Sequence, residues 1–413
     1  MVRLTKLEIR KFDGVEPTTL TFGPGFNVLL GKNATGKTTL LEIIAAILRD
    51  HFEPLTHRSQ EFEIAYELST DAGPISVQLE VREPTFAIDQ VLDFDTPLAW
   101  REVRVSGHLA DREFDFTSRA AGIVEAASNK LVNLPASLIW LPWLLLAVGD
   151  GKSGQRPFPQ RVVNREGRLD EALTVWERWF RHDKASNLLR ILNVDGHNTA
   201  MSGEGAPDAL LDAFRDALGS DPSEHPERQI VLEATNVAAL REAVGLFDLL
   251  NARLTYSVRS STSAVEGGAP GWLANYSSEL SFDSRYGAII PAEQLSFGQK
   301  RMLTFLLYEA STRGTPAVLD ELVNGLHYEW VELCVEKLRD RQVFATAQNP
   351  LLLDLLGFES VEQVRETFIQ CARGADGRMA WTNFSEEQAS EFFSAYEVGI
   401  QHVHEVLRAK GLW

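Results

Sequence analysis

Apolar and polar residues alternate along the first part of this chain in the pattern of half-buried β-strands. The alternation is clearest from Leu4 to Phe12 and from Phe62 to Leu68. A third strand pattern, Ile75 to Val81, follows the turn residues Asp71 to Pro74. This combination predicts an antiparallel hairpin within an antiparallel sheet.

A different pattern surrounds the most informative stretch. Phe26 to Leu30 is a short apolar run of strand type, and Thr39 to Leu48 has helical composition and length. The residues between them, which fit G-x-x-x-x-G-K-[ST], are Gly31, Lys32, Asn33, Ala34, Thr35, Gly36, Lys37, Thr38 and Thr39. Strand, glycine-bearing loop and helix is the context in which backbone N–H groups and a helix N-terminus bind phosphate.

Two side chains of this loop have expected roles. Lys37 should reach the β- and γ-phosphates of a nucleotide, and the Thr38 hydroxyl should ligate Mg²⁺. The alternative is a tight strand-to-helix turn whose lysine is merely solvated.

The middle of the chain mixes both patterns. Helical spacing dominates 169 to 219 apart from the stretch Gly196 to Pro207, and a further helix is predicted from Ala234 to Asn251. Strands are predicted from Ala252 to Ser260 and from Leu280 to Ile290.

Composition narrows the classes of protein. The length of 413 residues suggests two or three domains, or one large domain with an insertion. The net charge of −18 opposes general binding to nucleic acid. Only Cys334 and Cys371 are cysteines, too few for a disulfide framework or a zinc site.

The most apolar run, Leu138 to Val148, is too short to span a membrane, and the first residues lack the apolar core of a signal peptide. A cytoplasmic protein without membrane contact is expected.

One loop departs from the acidic background. Residues 151 to 168 contain one acid, Glu166, and five basic residues, namely Lys152, Arg156, Arg161, Arg165 and Arg168. A contact with a nucleic-acid backbone is one interpretation, and a solvated linker is the other.

The second half of the chain supplies further candidate residues. A predicted helix opens with Ser296, Phe297, Gly298 and Gln299. A serine and a glycine at a helix N-terminus can offer a hydroxyl and N–H groups to a phosphate, although Ser296 could equally be a plain N-cap. The apolar run Ala317 to Leu319 ends in Asp320 and Glu321, which suit a metal ligand and a general base.

These motifs together resemble ABC-superfamily ATPases of the SMC/RecF/OLD branch. More narrowly, they resemble the bacterial "AAA family" ATP-binding proteins common in anti-phage defence systems. Leu295 to Gln299 is similar to L-S-G-G-Q, Asp320 to His327 to D-E-P-E-N-G-L-H, and Ala345 to Leu352 to A-T-T-H-S-P-x-L-L. The resemblance is strong over 1–50 and 285–360 and only architectural between them.

The resemblance implies an α/β fold, an ABC-type P-loop ATPase head in which a mixed sheet with flanking helices is joined by an antiparallel β subdomain. A helical and β insertion would separate the two groups of motifs. The expected domains are 1–130 (amino-terminal lobe of the head), 131–250 (insertion) and 251–413 (carboxy-terminal lobe).

The resemblance also implies ATP and Mg²⁺ as ligands, with Asp320 on the metal, Glu321 and Lys37 catalytic, and Gln348 at the γ-phosphate switch. A homodimer would form around ATP, Ser296 of one chain completing the site of the other. DNA or RNA and an effector such as a nuclease are the expected partners. The alternatives are a non-hydrolysing ATP-dependent sensor and a transporter subunit.

Three departures from the family pattern affect these expectations. Gln348 replaces the usual switch histidine, and its amide can donate to a phosphate but cannot become charged, which predicts slow turnover. Phe297 replaces a signature glycine, and Leu322 and Val323 replace Pro-Glu. The Q-loop glutamine stays open among Gln78, Gln90 and Gln155.

Overall fold

The structure is a computed structural model. It describes residues 2–49, 52–70, 73–82, 102–109, 112–119, 122–125, 130–132, 227–233, 238–263, 271–311, 316–347, 350–398 and 402–411.

The described strands are β1 Arg3–Lys11, β2 Thr18–Thr21, β3 Phe26–Leu30, β4 Phe62–Thr70, β5 Gly73–Arg82, β6 Glu102–Leu109, β7 Arg112–Arg119, β8 Gly122–Glu125, β9 Lys130–Val132, β10 Glu227–Glu233, β11 Asn251–Ser263, β12 Gly271–Asp283, β13 Ile289–Pro291, β14 Ala317–Leu319, β15 Val343–Thr346, β16 Phe368–Arg373 and β17 Met379–Asn383. The described helices are α1 Lys37–Arg49, α2 Glu53–Thr56, α3 Ala238–Leu246, α4 Phe297–Ser311, α5 Tyr328–Leu338, α6 Pro350–Asp354, α7 Val361–Thr367, α8 Glu386–Glu397 and α9 Val403–Ala409.

The chain divides into two compact units. The first combines Met1–Val163 with Gly314–Asn324 and Val335–Trp413, and the second combines Asn164–Arg313 with Gly325–Cys334. Both chain ends therefore build the first unit, while the middle of the chain supplies most of the second. The boundaries predicted at 130 and 250 remain predictions.

A mixed sheet of the first unit carries the predicted phosphate-loop strand. Its strand order is β14-β15-β3-β16-β17, in which β14, β15, β3 and β16 are parallel and β17 is antiparallel to β16. Strand β3 has the predicted bounds and is buried over its last four residues, as its continuous apolar sequence requires.

An antiparallel sheet of the first unit has the order β2-β1-β4-β5-β6-β7-β8-β9. It contains the predicted hairpin, with Ile64 opposite Leu79. Along β4 the buried residues alternate with more exposed ones, so one sheet face packs inward and the other carries the polar residues.

Helix α1 joins both sheets into one core. Its apolar residues Leu40, Ile43, Ile44 and Ile47 are buried in a cluster that also holds Leu7, Ile64 and Leu79 of the antiparallel sheet and Leu29 and Phe344 of the mixed sheet. Burying side chains of this size contributes roughly 1.5–3 kcal/mol each. The helix that follows the predicted phosphate loop therefore packs against residues of both sheets.

The second unit contains an antiparallel sheet of order β10-β11-β12-β13 and helices α3 and α4. The single strand predicted from Leu280 to Ile290 is wrong, because a turn separates β12 from β13. Ser284 Oγ accepts the Ala288 N–H at 2.9 Å, and Gly287 has a φ of 78°. Glycine adopts this left-handed conformation without steric cost, which lets the chain reverse there.

Within the described ranges, no helix combines the length and the apolar character needed to cross a membrane.

Candidate nucleotide-binding site

The loop between β3 and α1 has a backbone that only particular residues can adopt. Gly31 and Gly36 have φ values of 148° and 83°, and Ala34 also has a positive φ, 63°. A Cβ at Gly31 would overlap the carbonyl oxygen of Cys371, and a Cβ at Gly36 would overlap the Met379 side chain. The two glycines that the motif fixes are thus required by both conformation and space.

Lys37, the first residue of α1, is 7% exposed, and its ammonium group turns back onto the loop. Nζ donates to the carbonyl oxygens of Gly31 and Lys32 at 2.7 and 2.9 Å. Burial lowers the pKa of Lys37 below its ordinary value, against the opposing field of Asp320 and Glu321. Its charge is therefore held in a partly desolvated position, where it interacts more strongly with an anion than it would in water.

The remaining loop residues divide into exposed and buried ones. Lys32, Asn33 and Ala34 are exposed, whereas Thr35 and Thr39 are buried. Thr35 Oγ1 donates to the Lys32 carbonyl oxygen at 2.8 Å and so closes the loop from inside.

The β16–β17 hairpin holds the loop from outside, a feature that the sequence patterns did not reveal. Arg373 Nε donates to the carbonyl oxygen of Ala34 at 2.8 Å, and Trp381 Nε1 donates to that of Thr35 at 3.1 Å. Together with Met379 beside Gly36, these contacts hold the loop against the β16–β17 hairpin.

The side chains of Thr38 and Asp320 are in direct contact. Thr38 Oγ1 donates to Asp320 Oδ2 at 3.1 Å, although the two residues are 282 positions apart. The other carboxylate oxygen, Oδ1, accepts the hydroxyl of Thr346 at 2.7 Å. Asp320 follows the last residue of strand β14, which pairs in parallel with β15 and has Leu319 beside Ala345. This pairing brings Asp320 close to Thr346.

Glu321 follows with an unusual backbone. Its φ is 53°, its N–H donates to Thr346 Oγ1 at 2.8 Å, and its Oε2 accepts the amide of Asn324 at 2.9 Å. A non-glycine residue with positive φ is uncommon and is found disproportionately at functional sites. Glu321 is thus held next to Asp320 by its neighbours.

The oxygen donors at this position suit magnesium. Mg²⁺ prefers a few carboxylate and hydroxyl oxygens, together with water and substrate phosphates, over an all-protein cage. Thr38 Oγ1 and Asp320 Oδ2 supply two such oxygens beside the phosphate loop. The donor chemistry therefore fits the metal that the sequence predicts.

The second unit holds the signature-like residues at the start of α4. Ser296 Oγ accepts the Gln299 N–H at 3.3 Å, and Gln299 Oε1 accepts the Ser296 N–H at 2.9 Å, which is a capping box. Phe297 is 45% exposed, and its ring lies against Gly325 and 5.4 Å from the Arg301 guanidinium carbon. Gly298 is needed because a Cβ there would come within 2.8 Å of the Gly325 carbonyl oxygen.

Several predicted residues are not placed at the site. Gln348, Gln90, Gln155 and the basic loop from 151 to 168 lie outside the described residues. Gln78 is exposed on β5, where it lines a polar cavity of about 480 Å³ with Lys6, Arg10 and Arg104.

Comparison with known sequences supports the family resemblance of the amino-terminal segment. A family described as "AAA domain" matches residues 6–98. The DNA replication and repair protein RecF of Psychromonas ingrahamii is 33% identical over 84 residues, 19% of this chain and 23% of RecF. That of Ligilactobacillus salivarius is 50% identical over 50 residues, 12% of this chain and 13% of RecF. The matches thus span less than a quarter of these relatives' own length.

Among solved structures, the chain is similar to the Smc head domain of Pyrococcus furiosus, with a TM-score of 0.43 and 14% sequence identity. The superposition covers 96% of this chain and 100% of the Smc chain. The fold is α/β, with the mixed sheet, flanking helices and antiparallel sheet that the sequence predicts. The predicted resemblance to ATPases of the RecF type is confirmed over the amino-terminal segment by the AAA-domain match and the RecF relatives.

Proposed function

We propose that this protein binds ATP with Mg²⁺ at the loop between β3 and α1 and hydrolyses it. The observation that supports this proposal is the convergence of Lys37, Thr38, Asp320 and Glu321 around one phosphate-binding loop. A cation, two oxygen ligands for a metal and a second carboxylate are the groups that phosphoryl transfer to water requires.

Each group has a definite task in this proposal. Backbone N–H groups of Gly31 to Thr38 and the N-terminus of α1 bind the phosphates, and Lys37 neutralises charge on the β- and γ-phosphates. Thr38 and Asp320 would hold Mg²⁺, which would supply positive charge to neutralise the transferred phosphoryl group. Glu321 orients the attacking water and accepts its proton. Gln348 would donate its amide to the γ-phosphate, and its neutrality predicts slow turnover.

ATP binding is tested by comparing two lysines of the same loop. Lys37→Ala should weaken binding of a fluorescent ATP analogue by at least about 100-fold, since hydrogen bonds to charged groups contribute roughly 1.5–3 kcal/mol each. Lys32→Ala is the matched control, because Lys32 is exposed and its backbone carbonyl, which the substitution retains, is what contacts Lys37. Equal binding by both variants would refute the proposed site.

A second function, an ATP-dependent sensor without hydrolysis, is favoured by one observation, the glutamine at position 348. In that case ATP would bind with full dependence on Lys37 but no phosphate would be released. Turnover under saturating ATP and Mg²⁺ separates the two proposals.

We further propose that two copies dimerise around ATP, with the α4 N-terminus of one copy contacting the nucleotide of the other. Support comes from sequence resemblance and from Ser296, whose hydroxyl stands at a helix N-terminus where an anion is favoured. Light scattering with and without ATP, using Glu321→Gln to slow hydrolysis, should show a dimer only with nucleotide. A monomer under both conditions would contradict this assembly.

The work performed by the ATPase is proposed to be DNA maintenance, in line with the RecF relatives, or anti-phage defence through a partner effector such as a nuclease. Direct binding of DNA or RNA would use the basic residues between Lys152 and Arg168. The logarithm of the binding constant should then fall against log salt by about 0.9 per neutralised phosphate, and changing Arg156, Arg161 and Arg165 to Ala should reduce that slope by about two to three. A slope unchanged by the triple substitution would exclude this loop.

A further inference from the structure

Thr346, the last residue of β15, touches both members of the acidic pair. Its Oγ1 donates to Asp320 Oδ1 at 2.7 Å and accepts the N–H of Glu321 at 2.8 Å. The residue is 1% exposed, so water does not compete freely for these bonds. One hydroxyl therefore connects the metal-binding and water-activating residues of the proposed site.

The bond to Asp320 determines how that carboxylate is oriented. A hydroxyl has a single hydrogen to donate, and Thr346 directs it to Oδ1. The opposite oxygen, Oδ2, is then the one that accepts the Thr38 hydroxyl at 3.1 Å. Without the Thr346 hydroxyl, rotation of the carboxylate would no longer be restrained from the β15 side.

The hydrogen bond to Glu321 stabilises a backbone conformation that is otherwise unfavourable for a non-glycine residue. With a φ of 53°, Glu321 lies in the left-handed region, and its N–H donates to the Thr346 hydroxyl oxygen. Such a conformation costs of order 1–3 kcal/mol and persists only where the surroundings stabilise it. The Thr346 oxygen supplies one such stabilising contact.

We propose that Thr346 is a positioning residue for the ATPase reaction, aiming Asp320 at Thr38 and seating Glu321 in its left-handed turn. This inference rests on the proposed function. Outer residues that orient metal ligands typically change metal affinity or activity by 10–100-fold when replaced.

The experiment compares Thr346→Val, which keeps the shape and removes the hydroxyl, with Thr346→Ser, which keeps the hydroxyl. Thr367→Val is the matched control, because Thr367 is also buried in the first unit and its hydroxyl donates to the Gln363 carbonyl oxygen at 2.8 Å. Three quantities are measured: ATP affinity in EDTA, the Mg²⁺ concentration for half-maximal hydrolysis, and kcat.

For Thr346→Val we expect unchanged ATP affinity in EDTA, a rise of about 10-fold in the Mg²⁺ requirement and a fall of about 10- to 100-fold in kcat. Thr346→Ser should stay within about threefold of wild type, since the hydroxyl is retained. A merely structural role would lower ATP affinity in EDTA as well. Should the valine variant not fold, Thr346→Ala measured against Thr346→Ser provides the same comparison.

The inference is overturned if Thr346→Val retains wild-type kcat and Mg²⁺ dependence, or if Thr367→Val shows the same losses. These results leave the proposed ATPase intact. A wild-type protein that neither binds nor hydrolyses Mg²⁺·ATP instead overturns the proposed function, and this inference with it.

Discussion

The indole N–H of Trp381 donates to the carbonyl oxygen of Thr35 at 3.1 Å, joining residues 346 positions apart in the chain. Trp381 is fully buried, and its strand belongs to the hairpin that also carries Arg373. The phosphate loop is therefore pre-organised by the carboxy-terminal part of the chain. Pre-organisation improves affinity because less ordering remains to be done when the ligand arrives.

This contact gives the first prediction. Trp381→Phe keeps an aromatic ring but removes the donor, leaving the Thr35 carbonyl without that partner. We expect a loss of about 1–3 kcal/mol in the free energy of unfolding, together with weaker ATP binding. Chemical denaturation and titration of a fluorescent ATP analogue measure the two effects. Trp330→Phe, the same change in the second unit, should leave ATP affinity unaltered, and equal losses in both variants would contradict the prediction.

The second prediction concerns Asn324, whose amide donates to Glu321 Oε2 at 2.9 Å. Asn324→Ala should lower kcat by about 10- to 100-fold, because a hydrogen bond to a charged group contributes roughly 1.5–3 kcal/mol. ATP affinity should be unchanged, since Asn324 orients only the proposed base. Asn383→Ala removes an amide of the same unit that bonds Thr21 instead, and it serves as the control. Unaltered kcat in Asn324→Ala would show that Glu321 needs no such support.

The third prediction follows from the buried charge of Lys37. Burial lowers its pKa below the ordinary value of 10.5, so the folded protein releases this proton at lower pH than the unfolded chain does. Below the folded pKa both states are protonated and the cost of burying the charge is complete. As pH rises through the folded pKa toward 10.5, the unfolded state binds more protons and stability rises.

Relative to Lys37→Met, the wild type should therefore gain free energy of unfolding as pH increases, by about 1.4 kcal/mol for each unit by which the pKa is lowered. Denaturant unfolding of both proteins without nucleotide, from about pH 7 upward, measures this difference. A difference that stays constant or decreases would contradict the predicted sign.

The fourth prediction separates capping from ligand binding at Ser296. Ser385 caps α8 with Gln388 in the same way that Ser296 caps α4 with Gln299. Changing either serine to Ala should cost a similar amount of stability, typically about 1 kcal/mol. Only Ser296→Ala should also weaken ATP-dependent dimerisation and turnover. If the two variants behave alike in every assay, Ser296 is a helix cap alone.

The sequence predicted the parts of the site that are formed by continuous stretches of residues. Gly31 to Thr39 form one continuous motif, and the apolar run before Asp320 and Glu321 marks a buried strand, so both could be found without a structure. Thr346 and Asn324 stood within the family-like segments, but nothing in their spacing reveals which atoms they bond.

Other features could not be predicted because they depend on tertiary placement. Arg373 and Trp381 reach the loop only because β16 pairs with β3 and β17 follows β16 at the edge of the sheet. The spacing of apolar and polar residues in the sequence does not indicate which strands become neighbours in the sheet. The turn between β12 and β13 was missed for a different reason, since the apolar residues on both sides outweighed the local turn residues Ser284 and Gly287.

We expect that Glu321, oriented by Thr346 and Asn324, activates water for ATP hydrolysis. The most direct measurement is single-turnover ATP hydrolysis by Glu321→Gln together with its ATP affinity, with Glu359→Gln, an exposed carboxylate of the same unit, as control. We predict ATP affinity within about threefold of wild type and a hydrolysis rate lower by about 10²–10⁴-fold. Hydrolysis at the wild-type rate by Glu321→Gln would contradict the claim.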